Sequence, residues 1–248
     1  MNWADDGIVL AARKHGETSL IVSLLTRAHG RHAGLVRGGA GRRARGVYQP
    51  GNRVTARWRA RLAEHLGSFT CELEDGVAAG LLDDRRRLAG LAAACALAEA
   101  ALPERQPHAA VHDGLRGLLD ALTAPAAAAG SVGWVEAYLR WEIGLLGELG
   151  FGLDLSRCAA TGRNDGLAWV SPRTGRAVSL SAGQPYADRL LPLPSFLLAP
   201  SGAASPDPAA LSDGFALTGY FLDRHVFAAH HRRMPPARAR LVRALGLD

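Results

Sequence analysis

Apolar and polar residues alternate along the first 75 positions and then shift to a helical spacing, and that change of period divides the chain. Ile8, Leu10 and Ala12 share one phase, and residues 13–17 (RKHGE) break it as a hairpin turn. A second strand over 19–26 sets Leu20, Val22 and Leu24 in phase, 27–30 (RAHG) turns, and a third strand covers 31–37. Residues 38–51 (GGAGRRARGVYQPG) are too rich in glycine and charge for a strand and predict a long mobile loop with room for a short helical turn. The fourth strand, 53–62, puts Val54, Ala56 and Trp58 on one face and Arg53, Arg57, Arg59 and Arg61 on the other. A fifth covers 67–73. Five short strands in so few residues close most economically into a small barrel, which removes exposed edges. The strand count and the long third connection fit the OB type.

From residue 76 the period is helical. One helix runs to Pro103, recapped at Asp83 and Asp84, with an apolar stripe of Leu88, Leu91, Ala92, Cys95, Ala98 and Leu102 that makes Cys95 a core residue. A second over 109–122 carries Val111, Leu115, Leu118, Leu119 and Leu122. After a loop at 123–131, a third over 132–149 has Trp134, Tyr138, Trp141, Leu145 and Leu149, with Gly150 as its cap. These three are expected to form a bundle on which the barrel sits. Residues 151–190 change character, with short strands at 167–170 and 177–180 and glycine-bearing turns at 161–162, 165–166 and 174–175. A Pro/Ser/Ala-rich connection over 191–208 leads to a helix at 209–230 and a last one at 237–245. The expected class is therefore α+β and multidomain: a barrel over 1–75, a helical domain begun over 76–150, an insertion over 151–190, and a linker with closing helices over 191–248.

Charge sharpens the picture. Residues 27–61 hold ten arginines and no acid. Residues 1–67 hold Lys14 and eleven arginines against Asp5, Asp6, Glu17 and Glu64, whereas the whole chain is only +6, so the remainder is mildly acidic. A basic module on a weakly acidic body implies a localised anionic partner, nucleic acid first, with an acidic polypeptide or a membrane face behind it. The opposing explanation is coding bias: the chain uses arginine and alanine heavily and contains a single lysine. Three widely separated cysteines argue against a secreted disulfide framework and for a reducing cytoplasm. The N-terminus lacks the charge of a signal peptide, and the apolar runs are too short to span a bilayer.

The alternation projects the fourth-strand arginines out of the barrel beside the arginine-rich loop, predicting one continuous positive band that neutralises phosphates. Trp58, in the apolar phase, is expected as a core or barrel-mouth anchor, and Tyr48, beside the loop, as the exposed stacking candidate. A P-loop is absent, because GGAGRRARG has no Lys-Ser/Thr, so nucleotide hydrolysis has no support. A nuclease would need clustered carboxylates, and Asp5, Asp6, Glu17 and Glu64 share no evident face. His108 and His112, four apart, lack a third ligand and read as surface histidines. In the insertion, C-x-x-T-G followed by S-x-x-A has the shape of a zinc-knuckle pair, but Cys158 is its one cysteine and Thr161, Ser179 and Ala182 fill the counterpart positions. One thiolate cannot hold structural zinc, so Leu167, Trp169 and Val178 are expected to hold the unit together. His225, His230 and His231 with Arg224, Arg232 and Arg233 form a second basic cluster, as compatible with helix capping as with phosphate contact.

Three stretches in order resemble the RecO family of bacterial recombination mediators: GIVLAARKHGETSLIVSLLTRAHGRHAGLVRGGAGRR, LLGELGFGLDLSRCAATG and FLDRHVFAAHHRRMPPARARLV. The resemblance implies an N-terminal OB-fold and a helical domain with a zinc-finger-like insertion, here lacking its metal ligands. It further implies binding of single- and double-stranded DNA, annealing of complementary strands, and no catalytic activity or cofactor. The implied partners are a RecR-like mediator protein, the C-terminal tail of single-stranded-DNA-binding protein and, indirectly, the RecA recombinase. Carried onto this chain, the DNA-binding surface falls on Lys14, Arg37, Arg42, Arg43, Arg45, Arg57 and Arg59. The alternative kept beside it is a protein-binding adaptor whose basic surface grips an acidic polypeptide without a direct DNA role.

Overall fold

The computed structural model describes residues 1–125, 133–200 and 206–247. The chain divides into two compact units, Met1–Thr123 with Pro235–Leu241, and Ala124–Met234 with Val242–Asp248. The stretch expected as the loop before the third helix lies mostly outside the described residues, as do positions 201–205 of the connection to the closing helices.

In the first unit, β1 (Asn2–His15), β2 (Ser19–Thr26), β3 (Gly30–Val36), β4 (Arg53–Arg59) and β5 (Ser68–Asp75) close into a barrel in the order β1-β2-β3-β5-β4. β1 is long because it serves two partners, β4 along its first half and β2 along its second. The expected phase of Ile8, Leu10 and Ala12 is corrected here. A bulge between Val9 and Ala11 switches the face, so Val9 and Ala12 point into the barrel while Ile8 and Leu10 are buried on its outside. Helix α3 lies against that outer side of β1, and the Cys95 thiol donates to the Val9 carbonyl at 3.7 Å.

The barrel core is Val9, Leu20, Val22, Leu24, Val36, Val54, Ala56, Trp58 and Phe69, the inward halves of five alternating strands. Residues 42–47 form α1 (Arg42–Val47), which plugs one mouth with Ala44 and Val47 and carries Tyr48 into the core. Tyr48 is 6% exposed and shares a hydrogen bond with Cys71, which overturns its expected role as an exposed stacking platform. At the other mouth Trp3, His32, Trp58 and Phe69 meet edge to face and in a stack. Close packing there needs glycine: a Cβ on Gly34 would stand 2.4 Å from the Phe69 ring, and one on Gly67 (φ +65°) 2.4 Å from the Trp58 indole nitrogen.

After the single turn α2 (Val77–Gly80), α3 (Arg85–Ala101) starts at Asp84, whose carboxylate accepts from the Arg86 and Arg87 backbone amides. Its buried surface is wider than a stripe and includes Ala93, Ala94 and Leu97, whereas the expected Ala92 is exposed. α4 (Ala109–Thr123) buries Val111, Leu115, Leu118, Leu119 and Leu122 as its period predicts. His108 and His112 are buried as well, which corrects their reading as surface histidines. The His112 ring nitrogen lies 3.0 Å from Asp113.

In the second unit, α5 (Gly133–Glu148) buries Trp134, Tyr138, Trp141 and Leu145 and packs against α7 (Pro208–Phe221). β6 (Leu167–Val170), β7 (Ala177–Ser179) and β8 (Leu191–Pro192) make a small sheet, followed within the turn-rich stretch by the short α6 (Leu180–Gly183) after β7. The sheet buries Val170, Ala177 and Ser179, while the expected anchors Leu167, Trp169 and Val178 are half-buried. α7 runs on through a wide turn, Leu222–Phe227, and α8 (Pro236–Leu245) follows. No helix of the described residues is long and apolar enough to cross a membrane.

Candidate nucleic-acid interface

Strand register decides which cations meet. Lys14 pairs with Leu20 and Leu20 with Val36, one residue before Arg37. On the far side Leu35 pairs with Ser68 and Ser68 with Arg59. Arg37 therefore stands two strands from the Arg57/Arg59 pair, on the order of 10 Å at the usual strand spacing, with Lys14 two strands away in the other direction. Arg37, Arg57 and Arg59 all have exposed side chains. A groove of about 640 Å³ runs over this wall, lined by the outward residues Asn2, Ala4, Arg57, Arg59, Ser68 and Thr70, with Trp3 and Trp58 beneath.

α1 and the β1–β2 turn hold the remaining expected cations. Lys14 and Arg45 line a second cavity of about 480 Å³ with Glu17, Leu20 and Tyr48. Arg45 is steadied by a 3.1 Å bond to the Ala40 carbonyl, and the Ala40 amide donates to Thr18 across the turn. Arg42 is exposed at the start of α1, and Arg43 follows it in the same helix. Among the described residues no carboxylate comes within ion-pairing distance of Lys14, Arg37, Arg42, Arg45, Arg57 or Arg59.

The continuous band is corrected at one end. Arg53 has only 13% of its side chain exposed and is paired with Asp120, at 2.5 Å, and with Asp75. Arg27 is held in a forked pair by Asp113, which with the His112 hydrogen bond draws that carboxyl down to about 2. Arg31 faces Glu99 and Glu104. Three of the ten arginines in the basic stretch are thus paired with acids, whereas Arg37, Arg57 and Arg59 stand exposed on the barrel wall.

The aromatic rings lining that groove, Trp3 and Trp58, are stacked on one another. Trp58 is 3% exposed, as an anchor should be, and its indole N–H donates to the Leu66 carbonyl at 3.0 Å. Trp3 is sandwiched between Trp58 and His29, the latter at 4.1 Å and held by Asp5. His32, 5% exposed among these rings, has neither ring nitrogen hydrogen-bonded, and burial together with the nearby Arg105 cation lowers it to about 4. The exposed cations on this surface have the chemistry for phosphate contact.

In the second unit three of the four knuckle-like positions, Cys158, Thr161 and Ser179, meet, with Cys158 the one thiol among them. The Ser179 amide donates to the Cys158 sulfur at 3.2 Å, and the Ser179 hydroxyl lies 3.5 Å from it. Burial alone would raise this thiol, but hydrogen bonds from Ser179 and Thr161 outweigh it and bring it down to about 6. No group of three or more His, Cys, Asp or Glu able to hold a metal occurs among the described residues.

Residues 1–76 match the family model described as Recombination protein O N terminal, and residues 82–234 match Recombination protein O C terminal. The chain belongs to the RecO family. Relatives agree over nearly the whole length: DNA repair protein RecO of Rhodospirillum centenum is 59% identical over 98% of this chain and 94% of its own. Its counterpart in Rhodospirillum rubrum is 56% identical over 99% and 96%, and that of Phenylobacterium zucineum 54% over 96% and 95%. The family boundary between residues 76 and 82 falls where β5 gives way to the helices.

Sequence reasoning missed Asp113, Asp120 and Arg105. The acids decide which arginines stay free. Arg105, at φ +61°, donates to the Ala63 and His65 carbonyls and holds the β4–β5 hairpin.

Proposed function

We propose that this protein acts in DNA repair as a non-enzymatic recombination mediator that binds single- and double-stranded DNA, anneals complementary strands and helps deliver recombinase to protein-coated single strands. The observation that carries the reading is the division of arginines: those beside the helices are neutralised, and those on the opposite barrel wall are not. A track of unpaired cations binds phosphates without reading bases, so both strands of a future duplex can be held alike. Annealing then follows from charge neutralisation and raised local strand concentration, with no covalent step.

The barrel, in this reading, is of the OB type. Its strand order supports that, as does its stagger: stepping across paired residues from Asn2 through Arg59, Ser68, Leu35 and Ile21 returns to β1 at Arg13. The β6–β8 unit is a zinc-finger-like scaffold in which the bonds among Cys158, Thr161 and Ser179 stand where a metal would. Family membership supports a RecR-like partner, the tail of single-stranded-DNA-binding protein, and RecA acting through them, in the cytoplasm.

The test is strand annealing by the purified protein under a salt titration, with Arg42→Glu/Arg43→Glu beside the wild type. Loss of annealing in the variant and its steep decline with salt are expected. Annealing that ignores salt, or a variant that keeps DNA binding and loses only a protein partner, favours the adaptor reading.

A further inference from the structure

The β4–β5 hairpin, residues 60–67, is built unlike a solvated loop. Ala60 exchanges backbone hydrogen bonds in both directions with Met1. Ala63 and His65 accept from the Arg105 guanidinium, Leu66 accepts from the Trp58 indole, and Gly67 accepts from the Leu35 amide. The clamp itself is costly to form, since Arg105 is a non-glycine residue in the left-handed region with its Nε buried and unpartnered. Yet this fixed hairpin leaves Leu62 47% and Leu66 40% exposed. Much of each of these apolar side chains is therefore left facing solvent on a backbone that its hydrogen bonds hold in place.

Their neighbours point to the occupant. Leu62 follows directly on Arg59 and Arg61, both exposed, and the groove lined by Arg57 and Arg59 leads up to the hairpin; Glu64 is its one acid. Whatever reaches the leucines has first met a cationic track, which selects a polyanion with apolar parts. With its phosphates on the arginines, a nucleic-acid strand presents its bases beside the track. Trp58 is buried and stacked on Trp3 beneath the groove, so the hairpin offers the bases Leu62 and Leu66 with the exposed His65 between them in sequence. We propose, resting on the DNA-binding reading above, that Leu62 and Leu66 form a preformed apolar wedge that inserts between neighbouring bases of the bound strand and unstacks them. Unstacked bases are free to be sampled by a complementary strand, so the wedge would prepare DNA for pairing while the arginines hold it. Insertion of Leu-type wedges between base steps is established chemistry for proteins that deform DNA.

Two readouts on the intact protein separate the wedge from the binding it rests on. A single-stranded oligonucleotide carrying 2-aminopurine reports unstacking by its fluorescence, and a terminal fluorescein reports binding by anisotropy. The wild type is expected to raise both signals. Leu62→Ser/Leu66→Ser, both changes on exposed side chains, is expected to keep the anisotropy midpoint and its salt dependence and to lose the 2-aminopurine rise. Leu73→Ser, also exposed but on β5, is expected to behave as the wild type. Wild-type binding without a fluorescence rise, or a rise that survives the double substitution, overturns the wedge and leaves the DNA-binding reading intact. No anisotropy change at low salt overturns both.

Discussion

Arg53 and the pair Arg57 and Arg59 sit on one strand, on one face, and differ only in what surrounds them. If unpaired cations alone bind phosphates, removing them should change the salt dependence of DNA affinity differently. Each phosphate neutralised on single-stranded DNA contributes about 0.7 to the slope of log K against log salt. Lys14, Arg37, Arg42, Arg45, Arg57 and Arg59, all without ion-pair partners among the described residues, set a slope of about −4 if each meets a phosphate. A rise from 50 to 200 mM salt should then weaken binding on the order of 300-fold. Arg57→Ala/Arg59→Ala should reduce the slope by about 1.4 and leave stability nearly unchanged, because both side chains are exposed. Arg53→Ala should leave the slope where it was. It should instead cost about 1–2 kcal/mol of stability through the lost pair with Asp120 and the lost bond to the Arg116 carbonyl. Fluorescence anisotropy at five or six salt concentrations, with urea unfolding of each variant, measures both quantities. If Arg53→Ala flattened the slope as much as the double substitution does, the division of the arginines would be wrong.

Three further outcomes follow from the packing. His32 titrates near 6.5 when unfolded and about 4 when folded; between those values the unfolded chain binds more protons. Stability should therefore fall by about 3 kcal/mol as pH drops from about 6.5 to about 4, and His32→Phe should remove that loss in urea melts across the range. Gly34→Ala pushes a methyl into the Phe69 ring at 2.4 Å and should lower unfolding free energy by about 1–3 kcal/mol, whereas an unchanged melt would mean that the ring moves freely. Added zinc or EDTA should leave the melting temperature of the protein unchanged, because Cys158 is joined by Ser179 and Thr161 in place of further thiolates; a metal-dependent shift would point to donors not described above.

Where one face of an element is buried and the other wet, its period was readable. β4 is the clearest case, with Val54, Ala56 and Trp58 inside and Arg57 and Arg59 outside, and α4 is another. Reading failed where both faces are covered. β1 lies between the barrel core and α3, so Gly7, Ile8, Val9 and Leu10 are all buried and alternation carries no signal; a bulge then reverses the phase unseen. Tyr48 failed for a different reason. Its neighbours in sequence are charged and turn-forming, but the one-and-a-half turns of α1 swing its ring into the barrel mouth, where Cys71 is the hydrogen-bond partner. Local composition describes the path of a chain better than the direction of one side chain on it.

The charge on the site was visible in sequence, and its useful part was not, because arginine looks the same whether it is paired or free. What separates the two kinds is α4. Asp113 and Asp120 stand two helical turns apart on one side of that helix, so they face the barrel together. One takes Arg27 after β2, and the other takes Arg53 at the start of β4. Arg31 meets a similar fate at Glu99 and Glu104. The weakly acidic body is therefore not a passive counterweight to a basic module. By neutralising Arg27, Arg31 and Arg53, the acids on and beside α3 and α4 leave Arg37, Arg57 and Arg59 as exposed cations of the barrel. If the protein binds DNA as proposed, a strand drawn in by long-range charge would be directed to Arg37, Arg57 and Arg59. Asp120→Lys should then leave Arg53 with Asp75 as its one acidic partner among the described residues and broaden the field; on the DNA-binding reading, affinity should rise while the orientation of the bound strand weakens.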